Sequence, residues 1–174
     1  SCHFGKWLIE GMPNVILIDF VQFTYMNNEI KAKLWQDFGV DSLGTNYFDF
    51  DEPVIWAYAT GKLIEAIVKQ TNSRTIAHFH EWLSAAGLLY VKKNCPKIAT
   101  AFTTHATVLG RALASGNVDL YNLFDKIKPD EEAKTLGIHP KHLIEKAAAT
   151  NADAFTTVSE ITGIEATNFL ARKP

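Results

Sequence analysis

The sequence predicts an α/β fold, a Rossmann-like three-layer sandwich with helices on both faces of a parallel sheet. Short apolar runs alternate with longer segments whose apolar residues recur every three or four positions, the pattern of amphipathic helices. Long helices between successive strands favour parallel pairing. Hydrophobic residues make up 47% of the 174 residues, so the chain can bury a core and fold as one domain.

Four runs are predicted to form the strands of this sheet. Residues 15–18, Val-Ile-Leu-Ile, are continuously apolar, as expected for a strand buried on both faces. The other three runs cover residues 75–79, 98–103 and 154–158. Each of them is rich in β-branched or aromatic residues, which favour strands.

Helices are predicted between these runs. They cover residues 53–69 and 81–93, begin again at Pro140, and begin a last time at Glu160 after the capping residue Ser159. Segment 109–139 is broken by Gly, Asn and Pro and is predicted to be an irregular excursion near the strand ends.

Composition restricts the partners and the compartment. The net charge of −2 and the pI near 6.3 provide no positive field for nucleic acid, so we expect no nucleic-acid partner. The sequence holds no run of about 18 apolar residues, so we expect no membrane span. Cys2 and Cys95 cannot form a disulfide framework and fit a reducing, cytoplasmic location. Because the chain does not begin with Met, we expect it to be a piece of a longer protein.

The segment 78–82, His-Phe-His-Glu-Trp, is the first candidate site. Side chains alternate along a strand, so His78 and His80 face one way and Phe79 the other. Functional sites in open α/β sheets form beyond the carboxyl ends of the strands, where this segment is predicted to lie. A pair of histidines there could bind a metal or a polar ligand, or simply fill polar gaps at the rim of the sheet.

Two further motifs follow predicted strands and would meet the first at the same edge. Thr104 and His105 come after the third strand, and Arg111 offers a planar fork for phosphate or carboxylate. Ser159 and Glu160 come after the fourth strand, where capping of a helix is the simpler explanation. Three strands that end in polar residues indicate a site more strongly than any one motif.

Several motifs in order resemble the glycogen synthases of animals and fungi, glycosyltransferase family 3. They occupy residues 4–11, 78–83, 102–107, 109–111, 118–122, 145–149 and 155–159, followed by Ile161-Thr162 and Glu165-Ala166. The resemblance spans nearly the whole chain. It implies that residues 1–174 form a single partial domain, a fragment of the amino-terminal Rossmann-like domain of a GT-B glycosyltransferase. The opening segment of that domain and the carboxyl-terminal domain are expected to lie outside this sequence.

The resemblance also implies an activity. The full-length protein is expected to transfer glucose from UDP-glucose to the nonreducing end of an α-1,4-glucan with retention, whereas the isolated fragment should be inactive. The family needs no metal or other cofactor for this reaction. The expected partners are a nucleotide sugar and the glucan, and we expect the full-length protein to be a homo-oligomer in the cytoplasm.

Roles for individual residues follow from the same resemblance and from position. The resemblance places His80 beside the donor glucose as the catalytic residue, supported by His78. Position along the chain suggests further substrate-binding residues, namely Glu81, Thr104, His105, Arg111, Tyr121, Asn122, Ser159 and Glu160.

Two other functional classes remain open at this point. A metal-dependent hydrolase could use His78 and His80 as ligands, with His105 as the third. A carbohydrate-binding domain without catalysis is the second class. Metal analysis tests the first class, and turnover of a nucleotide sugar tests the second.

Overall fold

The computed structural model shows a mixed α/β fold built around a parallel sheet. It describes residues 1–71, 74–116, 118 and 120–174, without the side chains of residues 121 and 125. The central sheet has three strands in the order β3 (Ile76–His80), β4 (Ala99–Thr104) and β5 (Ala154–Thr157). All three lie within two residues of their predicted positions.

The register of the sheet aligns the chemistry-bearing residues in rows. Phe79 pairs with Phe102, which pairs with Phe155. In the next row His80 pairs with Thr103, which pairs with Thr156. Because side chains alternate along each strand, adjacent rows project from opposite faces of the sheet.

Only one face of the sheet is covered in the part of the chain that the structure describes. The phenylalanine row lies buried on that face, whereas Ile76, His78 and Thr156 on the other face are exposed. Two of the predicted three layers are therefore present, and the second helical layer is not among the described residues.

Seven helices were located in these ranges. They are α1 (Asn27–Phe38), α2 (Phe48–Thr71), α3 (Glu81–Asn94), α4 (Val108–Ser115), α5 (Pro129–Thr135), α6 (His139–Asn151) and α7 (Glu160–Phe169). Helix α3 packs against β3 and β4 and lies between α2 and α6. Buried apolar side chains from these helices and the sheet form one core.

Glycine permits the closest helix contact in this core. A Cβ added at Gly87 in α3 would lie 2.6 Å from the carbonyl oxygen of Ala57 in α2 and 3.0 Å from the Phe79 ring. Real side chains do not approach so closely. Gly87 therefore sets the distance between α2, α3 and the edge strand β3.

The prediction for residues 15–18 was wrong in its pairing and burial. They belong to β2 (Asn14–Ile18), which pairs antiparallel with β1 (Cys2–Lys6) in a separate hairpin. Leu17 is 64% exposed, so the apolar run is not buried on both faces. A continuous apolar run predicts a strand, but it carries no information about which strand is its partner.

The irregular excursion was only partly confirmed. Segment 109–139 holds α5 and most of α4 as well as short 3-10 turns. Helix α1 was not predicted at all. It carries the fully buried Lys31, whose Nζ lies 2.5 Å from Oδ1 of Asp51 near the start of α2.

Candidate active site

The two predicted histidines lie side by side on the open face of β3. Their ring centroids are 4.2 Å apart, and both side chains are exposed. His78 Nε2 lies 2.7 Å from the Thr103 hydroxyl, which lies 2.6 Å from the Thr156 hydroxyl. Hydrogen bonds thus link three adjacent strands and fix the ring of His78. His78 and His80 share one face of the strand, as the alternation predicted.

His105 joins this cluster from the loop after β4. Its Nε2 lies 3.2 Å from Nδ1 of His80, so one ring donates a hydrogen bond to the other. The backbone carbonyl of His105 accepts from the hydroxyl of Thr162 in α7, at 3.3 Å. The structure therefore brings His78, His80 and His105 together at the carboxyl end of the sheet.

Glu81 occupies a sharp turn between β3 and α3. Its φ is +64°, a left-handed conformation that costs energy for a residue with a Cβ. In this conformation Glu81 Oε1 accepts the backbone N–H of His105 at 3.0 Å. The strained turn thus ties the end of β3 to the loop that carries His105.

The environment of His80 favours its uncharged form. Partial burial lowers the pKa of His80, and the neighbouring His78 and His105 lower that pKa further, against an opposing effect of Glu81. The ordinary value is 6.5, so His80 is neutral at pH 7. A neutral imidazole offers one donor and one acceptor to a polar ligand.

Two cavities adjoin this cluster. One, of about 450 Å³, is lined by His78 and His80 together with Trp56 and Ser84. The other, of about 600 Å³, is lined by Glu81, Trp82, Ala106, Arg111 and Lys141 among others. Arg111 is exposed there, beside Glu81, where its guanidinium can reach an anionic ligand.

Thr104 does not face a cavity. It is completely buried, and its hydroxyl donates to Glu145 at 2.6 Å. Thr103, one residue earlier, instead reaches the histidine cluster. The substrate-binding role of Thr104 stays a prediction. In this structure the alternation of β4 turns its side chain towards the helices, where it makes a structural contact.

Ser159 and Glu160 line a different cavity from the one that the histidines line. Ser159 caps α7, where its hydroxyl accepts the N–H of Thr162 at 3.2 Å, and Ser159 and Glu160 line a separate cavity of about 640 Å³. Asn122 is exposed in a 3-10 turn, and the side chain of Tyr121 lies outside the described residues.

The sequence analysis assigned no role to the residues that hold the segment around His105 in place. Glu145, Glu165 and Thr162 all bond to the loop after β4. No local pattern signals these contacts, since Glu145 is 41 residues from Thr104 in the chain. The resemblance had included segment 145–149 without assigning it a role.

Neither a metal-binding cluster nor a membrane-spanning helix occurs in the described ranges. No group of three or more His, Cys, Asp or Glu side chains there is arranged to hold a metal ion. Within the same ranges, no helix combines the length and apolar character needed to cross a bilayer.

The geometry suits recognition of a polar, uncharged ligand next to an anion. The imidazoles supply hydrogen bonds for hydroxyl groups, and Arg111 supplies a cation in the neighbouring cavity. The exposed threonine hydroxyl on β5 extends the polar row across the sheet.

Comparisons with known proteins identify the family of this chain. The family model for glycogen synthase matches residues 1–174. Glycogen [starch] synthase from Dictyostelium discoideum is 43% identical over 99% of this chain, which corresponds to 19% of that relative. Isoform 2 from Saccharomyces cerevisiae is 42% identical over 98% of this chain, and the human liver protein 39% over 99%, each match covering 24% of the relative.

The chain thus spans about a fifth to a quarter of the length of these relatives. Neither alternative class, the metal-dependent hydrolase or the non-catalytic carbohydrate-binding domain, finds support among them. Since the family model covers every residue and the relatives match 98–99% of this chain, the chain belongs to the glycogen synthase family.

Proposed function

We propose that the full-length protein transfers glucose from UDP-glucose to the nonreducing end of an α-1,4-glucan, with retention of configuration. Membership of the glycogen synthase family supports the reaction class. The observation that carries the proposal is the position of His80, exposed at the carboxyl end of β3 with its ring against His105. In an open α/β sheet this edge is where a substrate binds.

The uncharged state of His80 suits the chemistry of this transfer. The sugar becomes oxocarbenium-like and positively charged as the diphosphate departs. A cationic imidazole would repel that charge, whereas the neutral His80 can donate or accept a hydrogen bond at a sugar hydroxyl. The hydrogen bond to Thr103 holds the ring of His78 in place. Because this ring packs against the ring of His80, it restricts the orientation of His80.

Arg111 has a complementary role in this proposal. It lies exposed in the cavity beside Glu81, where a guanidinium favours the phosphate oxygens of a nucleotide sugar or of a departing diphosphate. In the same proposal, the chain is a fragment of the amino-terminal domain of a GT-B enzyme. Other parts of the protein complete the donor site. No metal takes part.

We also place the full-length protein in the cytoplasm as a homo-oligomer. Cys2 and Cys95 are free thiols, which agrees with a reducing compartment.

The test is transfer of labelled glucose to glycogen by the purified full-length protein. UDP-glucose should support incorporation, and digestion of the product with an exo-acting α-1,4-glucosidase should release the label. Hydrolysis of UDP-glucose without incorporation into glucan would contradict the proposal. Size-exclusion chromatography with light scattering tests the oligomer, and a monomeric mass would refute that part.

A further inference from the structure

Glu145 in α6 contacts both ends of the loop that carries His105. Its Oε1 accepts the hydroxyl of Thr104 at 2.6 Å, at the end of β4. Its Oε2 accepts the backbone N–H of Val108 at 2.8 Å, at the start of α4. One carboxyl group therefore spans the loop from its first residue to its last, with His105 between the two contacts.

Glu145 is an unusual residue for this position. Its side chain is completely buried, and an ionisable group in that setting loses its hydration. An apolar side chain of similar size would ordinarily stabilise a core at least as well. Its presence is therefore better explained by the loop geometry that its two hydrogen bonds enforce.

Two further acidic residues hold the same loop from other helices. Glu81 at the start of α3 accepts the backbone N–H of His105, and Glu165 in α7 accepts the Thr107 hydroxyl at 2.8 Å. Gly110 makes room for this arrangement, since an added Cβ would lie 2.6 Å from the Thr107 hydroxyl oxygen and closer still to Glu165. Glu145 differs from both in binding the two ends of the loop at once.

We propose that Glu145 is a positioning residue, which fixes residues 104–108 so that the His105 ring meets the ring of His80. This role rests on the proposed glucosyl transfer, because the pair of rings matters only if a substrate binds there. Glu145 hydrogen-bonds Thr104 and Val108 on either side of His105, so its effect on the ring of His105 is transmitted by the loop backbone.

Protonation should preserve this hold. Burial is the main cause that raises the pKa of Glu145 to about 7; the bonds from Thr104 and Val108 lower it, and the carboxyl groups of Glu81 and Glu165 raise it. The protonated group still accepts the N–H of Val108 and can donate its own proton to the Thr104 hydroxyl. The loop should therefore stay ordered on both sides of neutrality.

The experiment compares three variants of the full-length protein. Glu145→Ala removes both contacts. Glu145→Gln keeps an acceptor for Val108 N–H and can donate its amide to Thr104, so it should restore most of what the alanine variant loses. Ile144→Ala is the matched control, because Ile144 is also completely buried in α6 and belongs to the apolar core.

Two readouts are measured on each variant: hydrogen exchange of peptides covering residues 104–110, and kcat and KM for transfer. Glu145→Ala should speed exchange in this loop at least tenfold and lower kcat by roughly tenfold to a hundredfold, since small misplacements of a positioned group have effects of that size. Glu145→Gln should recover both the protection of the loop and kcat. Ile144→Ala should lower the unfolding midpoint without selective loss of loop protection.

Unchanged loop exchange in Glu145→Ala, or an equal loss of transfer in Ile144→Ala, would overturn the proposal. If Glu145→Ala does not fold, Thr104→Val decides the question, because it removes one of the two contacts and keeps the side-chain shape. Faster hydrogen exchange in the loop of this variant supports the proposal, and unchanged exchange refutes it. A parent protein without transfer activity would refute the proposed function, whereas loop exchange would still report whether Glu145 holds the loop.

Discussion

His80 and His105 meet ring to ring, with Nδ1 of one 3.2 Å from Nε2 of the other, although 25 residues separate them in the chain. Parallel pairing of β3 and β4 causes this meeting, because it brings the ends of both strands to the same edge of the sheet. The bound pair presents two imidazoles in a fixed relation.

The isolated 174-residue chain should have no glucosyl transfer activity. It spans about a fifth to a quarter of the length of its relatives, so residues of the remaining parts are absent from it. The measurement is incorporation of labelled glucose from UDP-glucose into glycogen by the purified fragment, beside the full-length protein as positive control. Incorporation by the fragment above the no-protein background would contradict this prediction.

The histidine cluster should bind no stoichiometric metal. His80 and His105 direct ring nitrogens at each other, and His78 directs Nε2 at Thr103, which leaves no converging set of three free nitrogens in the described cluster. Elemental analysis of the untagged full-length protein should detect less than about 0.1 equivalent of zinc or another transition metal, an order-of-magnitude limit for an empty site. One equivalent that disappears on substitution of His80 would show the prediction to be wrong.

Gly87→Ala should destabilise the protein by overpacking. The added methyl group would be forced against the Ala57 carbonyl and the Phe79 ring, and overpacking typically costs about 1–3 kcal/mol. Gly44→Ala is the control, because a Cβ there meets nothing within 4 Å, and its effect should stay within about 0.5 kcal/mol. Urea unfolding compares them; equal midpoints for the two variants would show that the approach of α2 and α3 is not tight.

Glu145 should make stability depend on pH in the opposite sense from a salt-bridged acid. Its pKa rises from 4.5 to about 7 in the folded protein because the group is buried. The contribution to stability is therefore complete below about pH 4.5 and is lost as the pH rises through 7. Relative to Glu145→Gln, the parent should lose on the order of 3 kcal/mol of unfolding free energy between pH 4.5 and pH 8.

Glu131→Gln provides the control for this titration, because Glu131 is largely exposed on α5. Its unfolding free energy should follow that of the parent across the same pH range. A parent and a Glu145→Gln variant with parallel pH curves would mean that Glu145 is not held in a dehydrated site.

Much of the central sheet could be predicted from the sequence, because each of its strands is a short apolar run bounded by polar residues. The pairing of residues 15–18 could not be predicted, since an apolar run specifies a strand and not its partner. The face shared by His78 and His80 followed from alternation alone. Alternation also explains why Thr103, and not Thr104, reaches the histidine cluster, because neighbouring residues of a strand face opposite sides of the sheet.

Local sequence patterns could not predict the residues that hold the His105 loop in place. Glu145 and Glu165 approach the His105 loop from α6 and α7, and only the packing of those helices decides where their carboxyl groups lie. Their spacing from the loop in the chain follows no motif. The sequence therefore predicted which histidines lie at the carboxyl end of the sheet. It did not predict which residues hold them there.

His80 should act on the substrate and not on the fold. His80→Ala in the full-length protein should lower turnover by roughly 10²–10³, by analogy with the loss of one well-placed hydrogen-bond donor at a reacting centre. Its side chain is exposed on the open face of β3, so the unfolding midpoint should change little. Phe79→Ala is the control, because Phe79 is buried on the opposite face and its removal should cost roughly 3–5 kcal/mol of stability.

The most direct measurement is turnover with UDP-glucose and glycogen, paired with urea unfolding, for the parent, His80→Ala and Phe79→Ala. His80→Ala should lose turnover at unchanged stability, whereas Phe79→Ala should lose stability first. A His80→Ala variant that keeps turnover within about threefold of the parent while its unfolding midpoint falls would contradict the account, since a contact to the reacting sugar is worth far more than that factor.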